Sequence, residues 1–199
     1  MEVIEIISES EGLTLRQRWA NVFTILLSIF MMLSGLNLRN QTLSATSIYE
    51  SPQAGITAQY PLNWLIDTQG DYVFRVRDMS RTGFKTAFLV SVQPVGPDAE
   101  ERNLADRLSL DRIVNFTDYR VQPLEAYNFP DGRDAQALNY TYVATDASPF
   151  LQSVPSVVRG LDILTISGGQ AIIITYRADS SNFEQELPRF EQFLRQLEF

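Results

Sequence analysis

The side chains in this chain that could do chemistry are few, and the missing ones narrow the field most. The sequence contains no histidine and no cysteine. That removes Ser-His-Asp and Cys-His nucleophilic catalysis, thiol redox chemistry, and the usual zinc, copper and iron–sulfur sites. A few small constellations remain. Asp67 with Asp71, and Asp131 with Asp134, could offer oxygen ligands to calcium. Neither pair matches an EF-hand loop, and acids at such places normally serve turn hydrogen bonds. Ser80 and Lys85 could form a Ser–Lys pair, but a single lysine beside a loop is ordinarily solvated. Tyr60, Pro61 and Trp64 could make an aromatic patch for a partner; the competing reading makes Trp64 a core anchor. Asn40, Asn115 and Asn139 each begin an N-x-Thr sequon, with Asn139 at a mid-strand position that argues against use. None of these sets specifies catalytic residues, a metal or a cofactor, so the chain is expected not to be an enzyme.

Charge narrows the partners. The net charge is −8. Glu2, Glu5, Glu9 and Glu11 against Arg16, Arg18 and Arg39 leave residues 1–40 at −1, and the rest of the chain carries −7. Nucleic acid is therefore not an expected partner, since phosphate binding needs a basic surface. The same balance argues against a domain lying flat on anionic lipid. With no disulfide available, the fold must rest on its hydrophobic core.

One stretch sets where these residues work. Trp19 to Leu38 contains no charged residue and is bounded by Arg18 and Arg39. About 20 residues of helix cover the ~30 Å hydrocarbon layer of a bilayer. The sequence therefore predicts a transmembrane helix over 19–38, a cytoplasmic tail over 1–18 and a linker over 39–47. A soluble domain follows over 48–199. Two rivals are a buried helix of that domain and a cleaved signal peptide. Neither Ser34-Gly35-Leu36 nor Leu43-Ser44-Ala45 makes a good cleavage site, which favours retention. Arg16 and Arg18 before the span outnumber Arg39 after it, so the N-terminus is expected in the cytoplasm and the domain on the outer face of the cell membrane. Within the span, Ser28, Ser34 and Gly35 offer small surfaces against which other membrane helices could pack.

Periodicity lays out the domain. Gly55 to Tyr60 alternates, with Ile56, Ala58 and Tyr60 on one face. Further strands are expected over 72–77 and 86–93. A helical region follows over 97–116, with Leu104, Leu108, Ile113, Val114 and Phe116 as its apolar side and Ser109 as a possible cap of a second segment. Extended structure is expected over 119–129, broken at Pro123, and over 135–145. A long loop over 146–155 could border a ligand pocket. The strongest local signal is a hairpin, 157–167 with 170–178 across Gly168-Gly169, where both central positions need positive φ. Its register sets Ile163 opposite Ile174, and residues 171–176 are apolar on both faces, as in a strand at mid-sheet. Phe183, Leu187, Phe190, Leu194 and Leu197 form one helical stripe. Ser181 with Glu184 reads as its capping box, and Pro188 should kink or restart the helix.

Gly55-Ile-Thr-Ala-Gln-Tyr-Pro-Leu-Asn-Trp64 resembles the opening strand and Tyr-Pro-x-x-Trp turn of PsbP-like domains. The segment 183–199 resembles their closing helix and last strand, and the order of elements between fits as well. The resemblance implies an α+β fold, an antiparallel β-sheet flanked by helices in an α/β/α sandwich. Here it would be preceded by one N-terminal transmembrane helix. The group includes the extrinsic subunit P of photosystem II, and most members act as docking or assembly modules with no shared catalytic set. This chain departs from envelope members in having an apparent helix anchor and no lipid-carrying cysteine. The function expected is a non-catalytic accessory or assembly subunit of a membrane complex, with Tyr60, Trp64, Ser28, Ser34 and Gly35 as possible partner contacts. The bilayer and integral membrane subunits would be its partners. An envelope ligand-binding or sensory domain is the alternative.

Overall fold

The computed structural model describes residues 14–43, 45–145 and 154–199. The chain divides into two compact units, 1–45 and 46–199. The first is the helix α1, Leu15–Leu43. It begins on a reciprocal cap: the Gln17 side chain accepts from the Thr14 backbone N–H at 2.9 Å, and Thr14 Oγ1 accepts from the Gln17 N–H at 3.4 Å. This Thr-x-x-Gln arrangement satisfies two amides that a helix start otherwise leaves free. Leu15–Arg39 is long and apolar enough to cross a membrane, and none of its apolar window is buried. The helix contains the whole stretch 19–38 and continues beyond it, so most of the segment read as a linker is helix or strand.

The second unit is organised on one antiparallel sheet. Strands β1 (Thr46–Ser51) and β2 (Ile56–Pro61) form a separate hairpin. The main sheet comprises β3 (Leu65–Asp67), β4 (Phe74–Arg77), β5 (Ala87–Pro94), β6 (Thr117–Val121), β7 (Glu125–Asn128), β8 (Asp134–Ala144), β9 (Ser156–Ser167) and β10 (Gln170–Asp179). Its order is β3-β4-β5-β10-β9-β8-β6, with β7 pairing farther along β8. The β9–β10 hairpin has the expected register, Ile163 opposite Ile174 and Leu164 opposite Ile173. Gly168 and Gly169 turn it at φ 59° and 76°, a left-handed pair that costs glycine least. As its two apolar faces require, β10 lies at the centre of the sheet.

Helix α3 (Phe183–Arg195) and the β1–β2 hairpin share the core on one face of the sheet. Ile56, Ala58 and Tyr60 from β2 meet Phe74, Val76, Phe88 and Val90 there. Phe88 is the hub of this layer, with ring centroids 4.6 Å from Trp64, 5.4 Å from Phe190 and 5.2 Å from Phe193. Tyr176 donates to the Phe183 carbonyl at 2.7 Å and ties β10 to the start of α3. Beyond the helix, Glu198 exchanges two backbone hydrogen bonds with Thr57, at 3.0 and 2.9 Å. Helix α2 (Glu101–Asn115) lies against the other face, where Leu104 and Ala105 pack with Leu138, Leu164 and Ile173. The fold is thus the expected α/β/α sandwich with an N-terminal apolar helix.

Several local expectations are corrected. The Ser181/Glu184 capping box does not form, because the Ser181 amide and hydroxyl both turn to Asp179 Oδ1, at 2.9 and 2.6 Å, and Asn182 is the N-cap. Pro188 does not restart α3; the helix runs through it without a break. Ser109 caps nothing: its hydroxyl donates back to the Ala105 carbonyl at 2.8 Å in the middle of a continuous α2. Ile113 and Val114 leave the core side, at 59% and 84% exposure. Leu104, Leu108 and Arg112 follow i, i+4, i+8 on one face, and residues 113 and 114 fall off that stripe. The strand β1 begins at Thr46, two residues inside the segment expected to be linker. The N-terminal tail through residue 13 and residues 146–153 of the expected long loop lie outside the described residues.

Candidate functional site: a cationic cavity beyond the end of α2

The two faces of the sheet are unequally covered. Side chains alternate along each strand, so Arg75, Arg77, Ala87, Leu89, Thr175 and Arg177 point away from the Phe88 layer. Helix α2 covers the part of this face built from β8, β9 and the start of β10. The part built from β4, β5 and the end of β10 borders a cavity of about 760 Å³, whose rim carries Phe84, Lys85, Tyr142 and Ala144. Thr145 and Val154, the residues flanking 146–153, line it too. Leu89, Thr175 and Arg177 also line a smaller cavity of about 260 Å³ beside Arg112 and Phe116.

The cationic row follows from register. Arg77 pairs with Ala87, and Ala87 pairs with Arg177. Arg177 in turn faces Gly160, and Gly160 faces Tyr140. A side chain at 160 would overlap the Tyr140 ring. Glycine therefore lets that ring lie over the strand, and its hydroxyl accepts from Arg177 Nε at 3.1 Å. The other side of the ring receives the Arg112 guanidinium, 4.2 Å from the centroid. Arg112 pairs with Asp162, whose other oxygen accepts from Thr175 at 2.7 Å. Both ions are nearly inaccessible, at 8% and 0% side-chain exposure. Burial pulls the Arg112 pKa down, and the Asp162 carboxylate more than reverses it, so the charge is held. Burial pushes the Tyr140 phenol up to about 12, against an opposing pull from Arg177.

The cavity itself is electrostatically one-sided. Arg75, Arg77, Lys85 and Arg177 line it, and no carboxylate does among the described residues. Arg75 is engaged by Asp67 at 2.5 Å. The Asp67 carboxyl is lowered to about 2, by the Gln69 amide first, then the Tyr72 hydroxyl and Arg75. Arg77, Lys85 and Arg177 form no ion pair among the described residues. The Nε–H groups of Arg75 and Arg77 are buried without a hydrogen-bond partner among the described residues. Polar hydrogens so placed ordinarily have acceptors.

The residues singled out in the sequence fall elsewhere. Tyr60 and Trp64, considered as partner contacts, are core residues at 9% and 5% exposure; alternation on β2 and stacking on Phe88 bury them. Ser28 returns its hydroxyl to the Thr24 carbonyl at 2.8 Å. Ser28 and Gly35 share one face of α1, and Ser34 sits about 120° round from Ser28 at 3.6 residues per turn. Ser80 and Lys85 do not pair: Ser80 donates to Asp78 at 2.6 Å and Lys85 to the Arg81 carbonyl. Asp131 is taken by Arg133, and the Asn115 amide donates to the Asp111 carbonyl at 2.7 Å. No set of three or more acidic side chains suited to a metal ion occurs among the described residues.

Sequence reasoning missed the cavity. Its one available signal was the alternation Phe74-Arg75-Val76-Arg77, apolar inward and cationic outward, matched by Tyr176-Arg177. It also missed a second surface. Leu110, Ile113 and Val114, spaced i, i+3, i+4, form an uncovered apolar stripe on the outer side of α2.

No protein-family model matches the chain, and no curated protein matches it. Solved structures do. The solution structure of cyanobacterial PsbP (CyanoP) from Synechocystis superposes with a TM-score of 0.58 at 14% identity, covering 78% of this chain and 92% of that one. The Ran-binding protein Mog1p of Saccharomyces cerevisiae gives 0.50 at 8% identity, covering 77% and 95%. LpqN of Mycobacterium tuberculosis, described as involved in cell envelope biogenesis, gives 0.49 at 8%, covering 77% and 89%. The 46–199 unit has the PsbP-like fold.

Proposed function

We propose, from that fold, that the chain is a non-catalytic accessory subunit of a membrane protein complex. In this reading α1 is retained and spans the membrane, the N-terminus is cytoplasmic, and the domain works on the outer face. The observation that carries the proposal is the apolar stripe Leu110-Ile113-Val114. Contiguous apolar side chains on a helix face left open to solvent mark docking surfaces for other proteins. Partners at a membrane suit a chain whose first unit is an apolar helix with none of its window buried. Arg16 and Arg18 support the orientation. That a protein of this fold is described as Ran-binding supports a protein-binding use. The absence of histidine and cysteine, and the separation of Ser80 from Lys85, support the non-catalytic reading.

The test is purification of the full chain in mild detergent. Membrane subunits should co-purify in fixed ratio, and Ile113→Glu with Val114→Ser should release them without changing the melting temperature. A wild-type chain recovered alone, or a complex indifferent to the double substitution, overturns the docking reading. Carbonate washing should leave the chain in the membrane pellet; release into the supernatant overturns the tether.

A second reading, a ligand-binding domain, is favoured by the cationic cavity. That cavity is concave, of ligand size, and flanked by the residues on either side of 146–153.

A further inference from the structure

We propose that the cavity beside β4, β5 and β10 binds a small organic anion. Its carboxylate or phosphate would sit over Ala87 between Arg77 and Arg177, and its flat apolar part against Phe84 and Tyr142. The proposal rests on the ligand-binding reading and names the chemistry of that site.

The strand spacing sets the seat. Arg77, Ala87 and Arg177 stand in one register row on three adjacent strands, so the two arginine Cα atoms are about 10 Å apart at ~4.8 Å per strand. Between them the only side chain is the Ala87 methyl. Two arginines at that separation, with one methyl between them, suit one tetrahedral or planar oxyanion, which can accept from both at once. The Arg177 head is steadied by the Tyr140 hydroxyl at 3.1 Å and by Phe116, whose ring centroid lies 5.2 Å from it. Arg77 has no such hold, and its buried Nε–H is unpartnered among the described residues. Lys85 adds a third cation on the rim.

The rest of the lining selects against a bare ion. Phe84 and Tyr142 meet edge to face at 6.5 Å, and Ala144 and Val154 extend the apolar wall. A volume of about 760 Å³ lies within the usual range of ~300–1,000 Å³ for small-molecule sites. A metal cation is refused by four positive side chains, and the −7 carried by residues 41–199 disfavours a long polyanion.

The experiment is calorimetric titration of the full chain in phosphatidylcholine nanodiscs with phenyl phosphate, inorganic phosphate and benzyl alcohol. Phenyl phosphate should bind saturably at one site. Inorganic phosphate should bind at least about tenfold more weakly for want of the ring, and benzyl alcohol should not bind. Arg77→Gln and Lys85→Gln should each weaken phenyl phosphate by about tenfold or more, with the ligand-free melting temperature unchanged. Lys85→Gln lies on the rim and provides the test if Arg77→Gln fails to fold. Equal binding of phenyl phosphate to wild type and variants overturns the anion seat. Binding of benzyl alcohol without phenyl phosphate also overturns it while sparing the ligand-binding reading. Binding of neither compound overturns both. Tighter binding of a short polyglutamate peptide than of phenyl phosphate overturns the small-molecule assignment in favour of an acidic protein segment.

Discussion

The two faces of the central sheet come from the same strands and serve opposite ends. On the α3 face the inward positions are mostly apolar, with Thr165 and the Arg81-paired Glu186 as buried polar exceptions, and the aromatic rings of Trp64, Phe88, Phe190 and Phe193 interlock. On the α2 face apolar packing gives way along the sheet to a buried ion pair and then to a row of cations around open space. Closing the first face gives the unit its core. Leaving the second partly open leaves charged groups in reach of a ligand, at a cost in stability that the first face offsets. The comparison teaches that the open space on this sheet is located by what the helix fails to cover.

That contrast can be broken from either side. The largest effect is expected at the hub: Phe88→Ala should cost about 3–5 kcal/mol in chemical denaturation, by lost burial and a residual cavity. A loss below 1 kcal/mol would mean that the α3 face is not the stabilising one. The buried pair comes next. Arg112→Met alone leaves Asp162 charged and unpaired and should cost about 3 kcal/mol or more. Adding Asp162→Leu should return most of it, since an apolar pair of similar size avoids the desolvation. If the double variant is no better than the single, the pair stabilises more than its burial permits.

A smaller effect should appear with pH. Tyr140 ionises at about 12 in the fold, against 10 for an ordinary phenol. The unfolded chain therefore loses this proton first as pH rises. Stability from this group is complete below pH 10 and declines between about pH 10 and 12. Denaturation midpoints across that window should fall more steeply for the wild type than for Tyr140→Phe; parallel curves would show that the ring is not held neutral by burial. Arg77→Gln, at the far end of the scale, should shift stability by less than about 0.5 kcal/mol.

Much of the architecture was legible in the sequence because its signals are local. The Gly168-Gly169 turn, the two-faced strand β10 and the Phe183–Leu197 stripe each need only neighbours along the chain to be recognised. The caps were less legible. Ser181 had two partners within reach, the Asp179 carboxylate and the free amides of the helix start, and the choice of the first depends on where β10 ends. Arg112 is the sharpest failure. Ile113 and Val114 look like core by type, yet the phase set by Leu104 and Leu108 puts an arginine inward, and only a carboxylate at the right height on β9 makes that tolerable.

By itself the sequence determined an apolar N-terminal helix, an α+β unit, the central hairpin and a chemistry without histidine or thiols. Those follow from composition and from periods of 2 and 3.6, which a single strand or helix expresses without help. The tertiary structure alone decided that α2 stops short of β4 and β5. It also decided that Arg77 and Arg177, a hundred residues apart, stand in one row, and that Gly160 lets Tyr140 reach across to the second of them. Register between distant strands is set by the packing of the whole sheet, and no stretch of chain carries it alone.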